Sequence, residues 1–161
     1  MLAGRYTQLG AIVVAVGLAI QVARPARTNP PTDPARAVGA HVAIPPAVQT
    51  TLRRACYDCH SNETRWPWYS SVAPVSWFVI GHVNDGRRRL NFSEWDAHDR
   101  RTPTPPFGRI CQEVSGGGMP LSSYLLLHDD ARLTPADVSQ LCAWANQVAA
   151  SPGGSPRPPR T

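Results

Sequence analysis

The five residues Cys56-Tyr57-Asp58-Cys59-His60 constrain this chain more than anything else in it. The stretch before them, Ala47 to Arg54, contains neither Gly nor Pro, so a helix can run into the motif. Two thiols three positions apart then face the same way, with an imidazole directly after them. A thioredoxin-like redox pair expects a βαβ setting, and no alternating strand pattern is present. A zinc site calls for a second C-x-x-C or closely spaced His; the other two cysteines, Cys111 and Cys142, stand 31 positions apart. The full pattern C-x-x-C-H is the signature of covalent haem attachment. Cys56 and Cys59 reach the vinyl groups on one side of a porphyrin, and His60 becomes the proximal iron ligand.

A six-coordinate iron needs one more ligand. Of two methionines, one is Met1; the other is Met119, in Gly116-Gly117-Gly118-Met119-Pro120. A thioether raises the potential of a His-ligated haem, and the glycines allow close backbone approach to a flat cofactor. The plainer reading makes Met119 a core filler. His82 falls near the inward face of a helix marked by Val75, Val79, Val83 and Leu90, where a core or boundary histidine is the ordinary reading. His128 sits at a helix end, His98 in a charged stretch and His41 in a proline-rich segment. Cys111 and Cys142 are expected to form a disulfide clamping both sides of the Met119 loop, since spare thiols outside the cytoplasm pair. Trp66, Trp68, Tyr69 and Trp77 read as core covering one haem face. A sharper reading gives Arg65 or Trp66 a haem propionate.

The net charge of +5 comes from 16 Arg and no Lys, against 11 acids. Its location excludes a nucleic-acid surface: the excess lies at Arg5, Arg24, Arg27, Arg36, Arg157 and Arg160, whereas residues 46–150 are balanced. The clusters Arg87-Arg88-Arg89 and Arg100-Arg101 read as a solvated face, or as a docking patch for an acidic redox partner. Tyr6 to Ala23 is uncharged and nearly all apolar, long enough to span a bilayer. Residues 1–24 are therefore a signal anchor or a cleaved signal peptide. Residues 25–45 form a proline-rich linker, read as a stiff spacer holding the domain off the membrane. Residues 46–150 are the haem-binding domain, and 151–161 a tail that is disordered by composition.

Four blocks in order, CYDCHSNETRWPWYSSVAPVSW, GRRRLNFSEW, GGGMPLSSYLLLH and ARLTPADVSQLCAW, together resemble the bacterial haem-binding domain family of small c-type cytochromes. The likeness runs from about Ala55 to Trp144, and Thr28 to Pro31 matches the family's T-N-P-P-like linker. The resemblance implies haem c on Cys56 and Cys59, His60 as one axial ligand and Met119 as the other. The run Ser115 to Gly118 is richer in glycine than the family pattern, which implies a more mobile ligand loop.

The expected fold is all-α, a small cytochrome-like domain behind an N-terminal apolar helix. Helices are expected over 46–56, 74–90, 106–114, 121–127 and 134–149, the last with Thr134 as N-cap, Pro135 first and Asp137 third. By analogy with class I cytochromes c, the opening and closing helices should pack together. The expected function is that of a membrane-tethered carrier of single electrons with one covalent haem, on the outer side of the inner membrane. It would serve an unidentified redox partner protein and would not be an enzyme. The alternatives are a haem-based gas sensor or ligand-binding module with a labile Met119, or a peroxidase-like enzyme using His82 or Arg109.

Overall fold

The computed structural model describes residues 2–95 and 107–150, and every regular element among them is helical. His98, Arg100, Arg101 and the tail 151–161 lie outside the described residues. Helix α1 (Leu2–Ala19) runs on into a 3-10 turn, Ile20–Ala23. The span Arg5–Ala23 has a mean hydropathy of 1.7 and none of it is buried, so it is long and apolar enough to cross a membrane.

The domain itself is built from α2 (Val38–His41), α3 (Pro46–Ala55), α4 (Tyr57–His60), α5 (Val75–Arg89), α6 (Phe107–Ser115), α7 (Ser122–Leu125) and α8 (Pro135–Ala150). Pro46 opens α3 at its first turn, where no donor is lost. A capping box starts α8: the Asp137 backbone N–H donates to Thr134 Oγ1 (3.1 Å), and the Thr134 N–H donates to the Asp137 carboxylate (2.8 Å). The most extensive pairing is α6 on α8, and α3 also packs on α8, so the opening and closing helices of the domain do meet. Between them lie Leu52, Phe107, Leu141 and Trp144, with the Phe107 and Trp144 rings edge to face at 5.1 Å.

Two expectations need correction. Residues 25–45 are not a free spacer. Val38 and Val42 are fully buried in the core, and the segment is stitched down by backbone bonds, Val38 N–H to Phe92 C=O (2.8 Å) and Trp95 N–H to Arg36 C=O (2.8 Å). The Trp144 indole N–H donates to the Ala43 carbonyl at 3.1 Å. Proline stiffens this strap without preventing it from burying two valines. Nor do Trp66, Trp68, Tyr69 and Trp77 form core. Trp68 is 79 % exposed and Trp77 40 %; the buried aromatics are Tyr57, Phe92, Trp95, Phe107 and Trp144.

Candidate functional site

The chain leaves α3 at Cys56, whose backbone (φ −125°, ψ −37°) breaks the helix for one residue before α4 resumes. This break is the local turn that presents the motif. A cavity of about 380 Å³ opens beside it, lined on one side by Leu52, Cys56, His60, Leu90 and Phe92. The rest of the lining comes from Ile110, Val114, Gly118, Met119 and Leu121, with Arg89, Arg109 and Glu113. The size falls within the ~300–1,000 Å³ of small-molecule and cofactor sites, and the lining is mainly apolar.

His60 is fixed in one tautomer. Its Nδ1 lies 3.0 Å from the Leu90 carbonyl oxygen, which can only accept, so Nδ1 carries the proton and Nε2 keeps the lone pair. This is the orientation that a metal-binding imidazole adopts. Burial pushes the His60 pKa down, partly offset by the Leu90 and Gly86 carbonyls, which favours the neutral, ligating ring. The backbone on either side is held as firmly: Phe92 N–H donates to His60 C=O (2.8 Å) and Ser61 Oγ to Tyr57 C=O (2.8 Å). Asn62 accepts from Asn91 Nδ2 (2.9 Å) and takes the Ser93 hydroxyl on its N–H (3.0 Å). The segment Leu90 to Glu94 is thus the brace behind the imidazole.

Asp58, inside the motif, is buried with a carboxylate that meets three donors. They are the Arg65 guanidinium (Nη2 3.1 Å), the Arg65 backbone N–H (3.0 Å) and the Tyr124 hydroxyl (2.8 Å). Burial, then the hydrogen bond to Asp58, pushes the Tyr124 pKa up, so the hydroxyl stays a donor. Asp58 therefore ties α4 to α7, just beyond Met119. Sequence reasoning missed Leu90, Asn62, Asn91, Ser93 and Tyr124. The available signal was that all five fall inside the blocks that carry the family resemblance, with Asn62 two residues after the motif.

Cys56 and Cys59 are free thiols. Burial pushes the Cys56 pKa up to about 12 and that of Cys59 to about 11, with the Asp58 charge adding to the latter. Among the described residues no group of three or more His, Cys, Asp and Glu is placed to hold a metal ion, and no strand frames a thioredoxin-like pair. Cys59 does not line the cavity; its carbonyl is pressed against α5, where a Cβ on Gly86 would sit 2.4 Å from the oxygen.

Met119 is half-buried and follows the end of α6. Gly117 takes the left-handed conformation (φ +72°) that closes the helix, and Gly118 and Met119 N–H both donate to Glu113 C=O (2.9 and 3.2 Å). The glycine run is thus a helix cap. Cys111 and Cys142 join α6 to α8 with sulfurs 2.02 Å apart. Arg65 and Trp66 do not line the cavity. Arg65 is committed to Asp58, and the Trp66 indole donates to Asn29 Oδ1 at 3.1 Å. The cations that do line it are Arg89 and Arg109, the latter 3.9 Å from Glu113. His82 lies away from the cavity, its ring 4.1 Å from that of Phe78. His128 stacks on Tyr124 at 3.9 Å.

A helical shell around an apolar cavity, with a tautomer-locked imidazole and a thioether both on its lining, is the architecture of a haem-holding protein. The chain belongs to the haem-binding domain family, whose model matches residues 15–147. No curated protein and no solved structure matches it.

Proposed function

We propose that this protein is a membrane-anchored monohaem c-type cytochrome that passes single electrons outside the cytoplasm. One observation carries the reading: Cys56 and His60 from the motif line the same apolar cavity as Met119, which lies about 60 residues downstream. Cys56 and Cys59 hold the haem by thioether bonds, which the C-x-x-C-H spacing supports. When bound, the haem supplies one-electron exchange at iron. His60 Nε2 is the proximal ligand, kept neutral by burial and aimed by Leu90. Met119 is the second ligand. Leu52, Phe92, Ile110 and Val114 exclude water, and Arg89 and Arg109 are the cations available for propionates. With His60 and Met119 both serving as ligands, a bound haem would offer no position to a substrate, so we assign a carrier and not an enzyme. The apolar helix α1 supports the anchor.

The test is the visible spectrum of the full chain matured in a bacterial periplasm, with denaturing electrophoresis to read covalent haem. The expected result is haem that stays on the denatured chain and a low-spin reduced spectrum that carbon monoxide leaves unchanged. Chain without covalent haem would overturn the c-type reading. A second reading, a haem-based sensor with a labile Met119, is favoured by the attachment of that residue to α6 through a glycine cap. Rapid carbon monoxide binding would select it.

A further inference from the structure

The end of α1 is bonded directly to the haem domain, so no free tether separates them. Gln21 Oε1 accepts the Ala73 N–H (3.0 Å), and Gln21 Nε2 donates to the Ala73 carbonyl (3.1 Å). The Arg24 guanidinium donates to the Ser71 carbonyl, and the Trp77 indole N–H to the Ala23 carbonyl (2.8 Å). Around this junction lies the largest group of exposed apolar side chains outside α1: Trp68, Val72, Val75, Trp77 and Phe78. Val72 and Val75 flank the very residue that Gln21 holds. Beside them is an open, mainly polar recess of about 480 Å³ lined by Arg24, Arg27, Ser70 and Ser71.

We propose that this face is a membrane-seating surface: Trp68, Val72, Val75, Trp77 and Phe78 rest in the interfacial layer of the same bilayer that α1 enters. The inference rests on the anchor reading and deepens it. Three observations favour lipid over a protein partner. The patch is continuous with the exit of the apolar span, since Ala73 and Trp77, which bond Gln21 and Ala23, lie within the patch segment. Its chemistry is interfacial, two tryptophans among aliphatic side chains, with a polar tip and an apolar body. Arg24 and Arg27 stand at its edge, where lipid phosphates would lie. The patch occupies the start of α5, and the cavity is lined by Arg89 near its other end. Fifteen helical residues put about 20 Å between the patch end and the cavity end of α5. The domain is then seated with its cofactor at a fixed height, rather than swinging on a leash.

The experiment uses the full haem-loaded chain in phosphatidylcholine–phosphatidylglycerol vesicles containing a lipid with a diazirine near the headgroup. Illumination is followed by peptide mapping. The expected result is lipid labelling of α1 and of the 68–78 peptide, with none on 135–150. In W68Q/F78Q the 68–78 labelling is lost while that of α1 and the visible spectrum are unchanged. Labelling of α1 alone in the unaltered chain overturns the seating and leaves the anchor. Absence of labelling from both overturns the anchor. Cross-links from 68–78 to a second copy of the chain, in place of lipid, also overturn the proposal.

Discussion

His60 stands in a wall whose polar atoms are nearly all engaged, whereas Met119 hangs from the end of a helix by two bonds to one carbonyl. On the first side, Leu90 orients the ring, Phe92 holds the backbone, Asn62, Asn91 and Ser93 interlock, and Asp58 collects Arg65 and Tyr124. On the second, a left-handed glycine and Glu113 C=O shape the loop, and the covalent link between α6 and α8 supplies the firmness. One side is ordered by many weak hydrogen bonds and the other by a single covalent link. In the proposed ligand set, His60 is the fixed member and Met119 the one that depends on how well two helices stay together.

Removing the disulfide tests that difference most severely. A cross-link spanning 31 residues restricts the unfolded chain by about 4 kcal/mol at most. C111S/C142S should lose up to that much in urea unfolding, and its reduced form should bind carbon monoxide faster while keeping its haem. Unchanged carbon monoxide kinetics in the folded variant would mean that the Met119 wall does not need the clamp. Gly86→Ala attacks the opposite wall. The new Cβ would meet the Cys59 carbonyl, a backbone atom that cannot swing aside. A loss of about 1–3 kcal/mol is expected, with a weakened low-spin spectrum. Met119→Leu keeps volume and should cost under about 1.5 kcal/mol, yet it removes the thioether and should open the reduced iron to carbon monoxide. Stability lost without carbon monoxide binding would make Met119 a packing residue only.

The smallest effect concerns the cap of α8 and its dependence on pH. Thr134 backbone N–H, then the Thr134, Thr51 and Arg54 side chains, hold the Asp137 carboxyl at a pKa of about 2, below its ordinary 3.8. A folded-state pKa below the unfolded one gives stability that is fully present above about pH 4 and lost as pH falls toward 2. Asp137→Asn should therefore cost about 1 kcal/mol at neutral pH, and the gap to the unaltered chain should close across that acidic window in thermal unfolding. A gap that persists at pH 2 would assign the effect to packing.

Much of this was legible beforehand, because the features concerned are local or chemically singular. C-x-x-C-H needs only a helix end to define itself, and the Thr134–Asp137 cap is a four-residue event. Met119 was singled out by scarcity, and Cys111 with Cys142 by elimination. The strap of residues 25–45 was hidden because Val38 and Val42 have no periodicity around them and their burial depends on Phe92, some fifty residues later. The tryptophans misled for the opposite reason. Their size argues for burial, yet the loop that carries them is anchored through Ser70 and Ala73 and leaves the indoles outside. Arg65 and Trp66 were judged by nearness to the motif, but chain proximity does not give direction, and both side chains point to polar partners away from the cavity.

On the proposed c-type reading, the cysteines also impose an order of events on biogenesis. A thioether can be made only from a reduced sulfur, whereas the link between α6 and α8 requires an oxidised pair. In an unfolded chain the short loop between Cys56 and Cys59 closes far more readily than the 31-residue one between Cys111 and Cys142. An indiscriminate oxidant would therefore seal the wrong pair first. A c-type product, as proposed, would require one pair to be kept reduced while the other is oxidised, or folding to bring α6 to α8 before oxidation begins.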